Sequence, residues 1–161
     1  MTISLIGGVT DKTADKFLDA YNKLKDNDVL TVYMSSEGGL ISVEEMIVHI
    51  VNDNPDKFRF IFMDCIFSCA FNILLRIQCD KQVLDHSLAM AHLPRISSEV
   101  SLNGTVLGGY SNYMSKSTVK YYTDLYSSVG LTDQEIIDIK GEADVYIRGR
   151  RLNKIVNNSI K

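Results

Sequence analysis

The sequence predicts an α/β fold in which repeated strand-helix units form a mostly parallel sheet covered by helices. Short apolar stretches of strand length alternate with segments whose apolar residues recur at helical spacing. Three such units follow one another in the first half of the chain, an order that favours parallel strands joined by right-handed crossovers. A chain of 161 residues, 45% of them hydrophobic, can bury one sizeable core, so we expect a single domain over residues 1–161.

The first unit is a strand over residues 2–6 that ends at Gly7 and Gly8. Thr10 or Asp11 then caps a helix, because threonine and aspartate side chains accept hydrogen bonds from the exposed amides of a first helical turn. The apolar residues of this helix recur every three or four positions and are Ala14, Phe17, Leu18, Tyr21 and Leu24.

The next two units follow the same plan. Residues 29–34 form a second strand and residues 35–39 a turn, and the helix after the turn has apolar residues at helical spacing. Residues 58–63 form a third strand, and a helix runs from about residue 68 to residue 77. The apolar positions of the second helix are Val43, Met46, Ile47, Ile50 and Val51.

The regular alternation of strand and helix patterns ends after the third unit. Short strands are predicted at Val83-Leu84 and over residues 88–91. The polar segment 95–109 is predicted to be an extended excursion or a hairpin. A long, tyrosine-rich helix then covers residues 110–129 and ends at Gly130.

The C-terminal part opens on a strong helix signal. Thr132 and Glu135 have the spacing of a capping box, which begins a short helix through Lys140 that Gly141 stops. Residues 144–161 are predicted to form a short extended piece and a last helix.

Charge and cysteine content narrow the class of protein. The net charge is −3 and the basic residues are dispersed apart from a short group near the C-terminus, so nucleic acid is not an expected partner. The cysteines share one hydrophobic stretch without metal-ligand spacing, and their odd number fits a reducing, cytoplasmic setting. We expect neither a metal nor a cofactor. The basic group is Arg148, Arg150, Arg151 and Lys154, and the cysteines are Cys65, Cys69 and Cys79.

Neither a secretory signal nor a membrane span is expected. Residues 1–6 lack the basic segment and the small-residue cleavage site of a secretory signal. Residues 58–77 are strongly apolar, but the charged side chains of Arg59, Asp64 and Arg76 interrupt them. A bilayer span needs about 20 residues with few or no charges.

Small and polar residues lie where the predicted strands end. In open α/β sheets, the carboxyl ends of the strands form the edge at which ligands bind. Gly38 and Gly39 close the second strand, Ser68 opens the helix after the third, and His92 follows the strand over residues 88–91. Glycines before a helix leave backbone amides able to face an anion. A serine at the positive end of a helix dipole and a histidine on a neighbouring strand complete an acyl-transfer site, so the sequence favours a serine hydrolase.

Each of these residues also has a purely structural interpretation. Paired glycines usually make a turn, and a serine that opens a helix is by default its cap. His49 is expected within a helix and His86 in a polar turn, so His92 is the best-placed base. The carboxylates that could orient it are Asp124 in the long helix, Asp133 in the capping box, Asp138 on a helix face, and Asp144.

Three ordered motifs resemble the proteolytic subunit of Clp protease, the ClpP family of the crotonase-like fold. Ser36-Glu37-Gly38-Gly39 resembles the family's Ser-Pro-Gly-Gly turn, residues 68–75 its Ser-Met-Gly-Ala nucleophile segment, and residues 89–94 its Met-Ile-His-Gln-Pro. Gly39 precedes Ser68 by 29 positions and Ser68 precedes His92 by 24, in agreement with or very close to the family's spacing. The similarity runs from about residue 3 to near the C-terminus.

The resemblance implies a role for each residue that matches a motif. Ser68 would be the nucleophile, His92 the general base and then acid, and the amides of Gly39 and Cys69 the oxyanion hole. Residues 142–144 are similar to the family's Glu-Arg-Asp, which implies that Asp144 orients the histidine. Gly38 and Leu93, beside these groups, are assigned to substrate binding.

The chain departs from the family pattern at positions close to the site. Glu37 stands in place of proline, Ala70 in place of glycine, and Leu93 in place of glutamine. Asp64 occupies a position where the family has glycine, four residues before the nucleophile. If Asp64 were buried next to the oxyanion position, its charge would oppose the charge of the transition state.

The family also implies an architecture and an assembly. A head of about residues 1–94 and 131–161 would carry a protruding strand-plus-helix handle of about residues 95–130, and such handles join two stacked homo-oligomeric rings. The resemblance implies a serine-type endopeptidase that cleaves peptides or unfolded polypeptides. Docking of an AAA+ unfoldase is in doubt because the chain begins at the first strand, without the family's N-terminal axial loops.

Two other functions compete with this one. The chain could be a catalytically inactive, ring-forming scaffold or regulatory subunit that lost turnover through the changes at Asp64 and Ala70. An acyl-CoA enzyme of the same superfamily is disfavoured, because the chain is short and shows no evident nucleotide-phosphate cluster.

Overall fold

The computed structural model describes residues 1–95 and 104–159, and for residues 104–115 it describes the backbone alone. Strands and helices alternate through the first half of the chain, as predicted. The strands are β1 Thr2–Ile6, β2 Leu30–Ser36, β3 Phe58–Phe67, β4 Asp80–Val83, β5 Leu88–Ala91 and β6 Val145–Arg148. The helices are α1 Asp11–Tyr21, α2 Ile41–Asp53, α3 Cys69–Arg76, α4 Gly104–Ser128, α5 Asp133–Lys140 and α6 Gly149–Asn158, with a short 3₁₀ turn at Pro55–Lys57.

The sheet confirms the predicted α/β class. Its strand order is β1-β2-β3-β5-β6, with β4 beside the first half of β3. The pairings of β1 with β2 and of β3 with β2, β4 and β5 are all parallel. Parallel neighbours bring the carboxyl ends of β2 and β3 to the same edge, and both glycine and serine candidates follow those ends.

Strand β3 is longer than predicted, because a bulge and not a strand end follows residue 63. Met34 pairs with Phe62 whereas Ser36 pairs with Ile66, so β3 carries two extra residues at this point. Asp64 lies in the bulge with a positive φ of 53°. The half of β3 before the bulge pairs with β4 and the half after it with β5, and the strand thus reaches the residue before the candidate nucleophile.

Local signals fixed the ends of several helices correctly. Thr10 is the N-cap of α1, in a capping box with Thr13. Thr132 and Glu135 form the predicted capping box of α5, where the Thr132 amide donates to the Glu135 carboxylate at 2.9 Å. Helix α4 ends in a Schellman arrangement at Gly130, whose φ is +98°.

The beginning of α4 was predicted wrongly. The helix starts at Gly104, so residues 104–109 are helical and not extended. Glycine lowers helix stability by only about 1 kcal/mol per residue, and a long helix that already has its nucleus can propagate through Gly108 and Gly109. The rest of the predicted excursion, residues 96–103, lies outside the described residues.

Helix α1 packs against α2, and α2 packs against α3. Aromatic rings fill part of the space between α1 and the sheet. The rings of Phe17 and Phe58 stack at a centroid distance of 5.7 Å. Of the tyrosines of α4, Tyr122 and Tyr126 are buried within the chain, while Tyr121 is 45% exposed. The side chains of Tyr110 and Tyr113 lie outside the described residues.

The chain forms two compact units. The first is Met1–Ala91 with Tyr146–Lys161, and the second is His92–Val145. The second unit begins close to the start of the predicted handle but extends beyond its predicted end, through α5 to Val145. The boundaries of head and handle stay a prediction. In the parts of the chain that the structure covers, no helix has the length and hydrophobicity required to cross a membrane.

Candidate active site

The predicted site residues fall into two groups, one in each unit. We call Gly38, Gly39, Ser68 and Cys69, which lie in the first unit, the serine half. We call His92 and Asp144, which lie in the second unit, the histidine half.

Ser68 adopts a strained backbone conformation at the junction of β3 and α3. Its φ is 55° and its ψ is −123°, a region that residues with a side chain rarely occupy. The Ser68 amide donates to the Met90 carbonyl at 2.9 Å, and its carbonyl accepts from the Asn72 amide at 3.0 Å. Within α3, which is described in full, the Ser68 hydroxyl makes no capping hydrogen bond. Ser68 thus occupies the N-cap position of α3, but a capping hydrogen bond does not account for its hydroxyl.

Gly38 lies directly against Ser68. A Cβ atom added to Gly38 would be 2.6 Å from the Ser68 Cβ and 3.0 Å from the Ser68 Oγ. Gly38 also has a φ of +105° and donates its amide to the Ser36 hydroxyl at 3.0 Å. Only glycine fits here, so the predicted glycine turn and the predicted serine do come together.

Gly39 is fixed by the backbone of Val9. The Val9 amide donates to the Gly38 carbonyl and the Leu40 amide to the Val9 carbonyl, both at 2.8 Å. This bridge uses the groups on either side of Gly39, so the Gly39 amide points away from Val9. Within residues 1–95 and 104–159, neither the Gly39 amide nor the Cys69 amide donates a hydrogen bond to another group. Two available amides are what an oxyanion hole requires.

The Cys69 side chain links the two loops of the serine half. Its Sγ lies 3.1 Å from the Gly39 carbonyl oxygen. Burial, reinforced by the nearby Glu44 carboxylate, raises the pKa of the Cys69 thiol to about 12. The thiol is therefore protonated at neutral pH and is unsuited to act as a nucleophile.

The departures from the family pattern do not obstruct the serine half. Asp64 is exposed, so the condition under which its charge would oppose an oxyanion is not met. Ala70 is fully buried in the first turn of α3, where an alanine favours the helix. The side chain of Glu37 is also exposed.

In the histidine half, one carboxylate lies next to both an imidazole and a guanidinium group. The Asp144 Oδ1 lies 3.5 Å from the His92 Nδ1, an ion-pair distance that is long for a hydrogen bond. The same oxygen accepts from the Arg95 guanidinium at 2.9 Å. The His92 carbonyl accepts from the Tyr126 hydroxyl at 3.0 Å, which ties the histidine backbone to α4.

The protonation of His92 reflects these neighbours. Burial lowers the pKa of His92 below its ordinary value, and the Arg95 charge lowers it further, while Asp144 opposes both. The imidazole is thus held neutral over most of the physiological range, as a general base must be.

The other candidates occupy unremarkable positions. His49 is exposed and pairs with Asp53 at 3.3 Å, and His86 is exposed in a turn. Leu93 is half-buried and lies outside helices and strands. The remaining carboxylates act on their own helices: Asp124 pairs with Lys120, Asp138 accepts from Gln134, and Asp133 lies in the first turn of α5.

Sequence reasoning missed the polar residues that support the site. Glu44 and Asn72 are buried at the interface of α2 and α3, where they hydrogen-bond to each other. In the sequence, each of them is a polar residue on an otherwise apolar helix face. Glu44 follows Val43, and Asn72 lies between Phe71 and Ile73. No pattern pointed to Arg95, because its partner is 49 residues away.

In residues 1–95 and 104–159, no three histidine, cysteine, aspartate or glutamate side chains come together as a metal-binding group. Neither a protein-family model nor a curated protein matches this chain.

Proposed function

We propose that this protein is a serine-type endopeptidase with Ser68 as its nucleophile. The observation that carries the proposal is the conformation of Ser68, at a strained strand-to-helix junction and in contact with Gly38. Strain of this kind costs about 1–3 kcal/mol and persists where function requires it. The same junction exposes the nucleophilic serine of many hydrolases.

The proposed reaction proceeds through an acyl-enzyme. His92 Nε2 takes the proton of the Ser68 hydroxyl as Oγ attacks the substrate carbonyl. The negative charge that forms on the carbonyl oxygen is held by the amides of Gly39 and Cys69, which donate to no other described group. His92 then gives the proton to the leaving amine, and a water molecule, activated in the same way, releases the acid product.

Asp144 has the supporting role in this mechanism. A carboxylate beside Nδ1 keeps the proton of the neutral imidazole on that nitrogen, so that Nε2 is the basic one. It also stabilises the imidazolium that forms when His92 accepts the serine proton. We place Gly38 and Leu93 beside the bound peptide.

The ClpP resemblance supplies the rest of the proposal. We propose a crotonase-like head with a handle, a homo-oligomeric ring or stacked rings in the cytoplasm, and peptides or unfolded polypeptides as substrates. The exposed Tyr121 on α4 is available for contacts between subunits. Size-exclusion chromatography with light scattering tests the assembly, and a monomer at micromolar concentration would contradict it.

Fluorophosphonate labelling followed by peptide mapping tests the activity. We expect one adduct, on Ser68, which disappears in Ser68→Ala and in His92→Ala. Ser42→Ala is the matched control, since Ser42 is an exposed serine in the first turn of α2 and should not affect labelling. Folded, assembled protein that forms no adduct on Ser68 would contradict the peptidase proposal and favour an inactive scaffold.

A further inference from the structure

A buried carboxylate, that of Glu44, lies at the interface of α2 and α3, the two helices that follow the loops of the serine half. Glu44, on α2, is fully buried. Its Oε2 accepts from the Asn72 Nδ2 at 3.1 Å, and its Oε1 accepts from the Arg76 guanidinium at 2.9 Å. Both partners belong to α3, so Glu44 joins the two helices through charged and polar contacts.

These two helices are the ones that follow the two loops of the serine half. Helix α2 begins at Ile41, two residues after Gly39, and α3 begins at Cys69, directly after Ser68. A second contact joins the loops themselves, from the Cys69 thiol to the Gly39 carbonyl. Glu44 also acts on that thiol, whose pKa it helps to raise. The carboxylate and the thiol thus form a continuous link between the residues that carry the two available amides.

Stability does not account for a charge at this position. Burial raises the pKa of the Glu44 carboxyl above its ordinary value, which means that folding disfavours the charged form. Arg76 does not depend on Glu44 for charge compensation, because Glu45 accepts from both of its terminal nitrogens at 2.6 and 2.7 Å. Replacement of Glu44 by a neutral residue leaves Arg76 paired with Glu45, so it leaves no uncompensated buried charge. The role of Glu44 therefore lies in geometry.

We propose that Glu44 is a positioning residue, which holds the first turn of α3 against the glycine turn so that the Gly39 and Cys69 amides converge on one substrate oxygen. This inference rests on the proposed function, since it assigns those amides to the oxyanion. A misplacement of about 1 Å in such a site costs about 10²-fold in rate.

The test compares Glu44→Gln with Glu45→Gln. Both variants lose one carboxylate near Arg76, but only Glu44 contacts Asn72 and the site. With a fluorophosphonate as the probe, we expect Glu44→Gln to lower the maximal labelling rate by about 10²-fold at unchanged half-saturating concentration. Glu45→Gln should leave both values unchanged, and the thermal unfolding midpoint of Glu44→Gln should stay level or rise.

Unchanged labelling in Glu44→Gln, or a loss that follows a lowered unfolding midpoint, would overturn the inference. Hydrogen exchange read by mass spectrometry gives a second measurement that needs no activity. The amides of Leu40 and Asn72, bonded to the carbonyls of Val9 and Ser68, should exchange faster in Glu44→Gln than in Glu45→Gln. If the wild type forms no adduct on Ser68, the peptidase proposal fails, and equal exchange in the two variants would separately show that Glu44 does not hold these loops.

Discussion

The serine half is shaped by close backbone contacts, and the charged side chain that supports it, Glu44, is buried, whereas the charges of the histidine half are partly exposed. Gly38 and Gly39 leave no room for a Cβ atom, and Ser68 adopts a φ of 55°. His92 and Asp144 have ordinary backbone positions near ends of secondary structure. The Asp144 carboxylate lies 3.5 Å from the His92 Nδ1 and forms an ion pair with Arg95 at 2.9 Å.

The two halves are therefore expected to respond differently to mutation, pH and ionic strength. Contacts between backbone atoms depend on shape, and they are insensitive to pH and salt. An ion pair that is partly exposed responds to pH, to ionic strength and to a competing cation. The serine half should therefore fail when an atom is added and should be insensitive to salt, whereas the charges of the histidine half should respond to pH and to salt.

The largest effect is expected from Gly39→Ala. The new Cβ would overlap the Val9 carbonyl oxygen and lie 2.8 Å from the Val9 carbonyl carbon, and both are backbone atoms that cannot move aside alone. We expect loss of the folded protein or a destabilisation of several kcal/mol, of the order of the largest single-residue effects, about 4–5 kcal/mol. Chemical denaturation measures it.

Gly7→Ala is the matched control for this variant. Gly7 also has a positive φ, of 93°, but a Cβ there would meet nothing within 4 Å. Its cost should be limited to the backbone conformation, roughly 1–2 kcal/mol. Equal destabilisation of the two variants would contradict this prediction, because it would show that the close approach of Val9 to Gly39 does not determine the cost of the substitution.

Asp144→Asn should follow, with an effect on rate and not on folding. An asparagine in this place favours the wrong tautomer of the imidazole, and in a triad such a change lowers kcat by about 10⁴-fold. Because the side chain is near the surface and keeps its size, we expect an unchanged unfolding midpoint. Peptidase and labelling rates that remain within a few-fold of the wild type would remove Asp144 from the mechanism.

Arg95→Gln should have the smallest effect, and it should depend on salt. Removal of the guanidinium raises the pKa of His92, because the Arg95 charge is one cause of its lowered value. The acid limb of the labelling-rate profile should then move to higher pH, since His92 must be neutral to accept the serine proton. Arg95 is 64% exposed, so the displacement should shrink as ionic strength increases.

NMR titration of the His92 ring measures this pKa directly, and Arg59→Gln provides the control, since Arg59 pairs with Asp80 on the first unit. A His92 pKa that is lower in Arg95→Gln than in the wild type would reverse the assigned sign. The titration tests the histidine half even in protein without peptidase activity.

The sequence was most informative where structure depends on neighbours along the chain. The capping residue Thr132 and the glycine stop at Gly130 follow from contacts within five residues, and both were predicted. Thr10 was one of the two residues predicted to cap α1. The α/β class followed from the alternation of strand and helix patterns, which requires no knowledge of distant contacts.

Prediction failed where distant segments decide the conformation. The bulge at Asp64 lies in the pairing of β3 with β2, and the two parts of β3 on either side of it pair with β4 and β5, which follow later in the chain. The roles of Glu44 and Arg95 arise from partners at least 28 residues away. The motifs selected the candidate residues, but the strain at Ser68 became visible only in the fold.

The different environments of the three cysteines offer a practical consequence. Cys65 is exposed and lies three residues before Ser68, whereas Cys69 and Cys79 are buried and burial raises the pKa of their thiols to about 12 and about 11. A maleimide fluorophore should therefore attach to Cys65 without the need to introduce a further cysteine. Such a dye would sit close to the nucleophile and could report inhibitor occupancy as a change in emission.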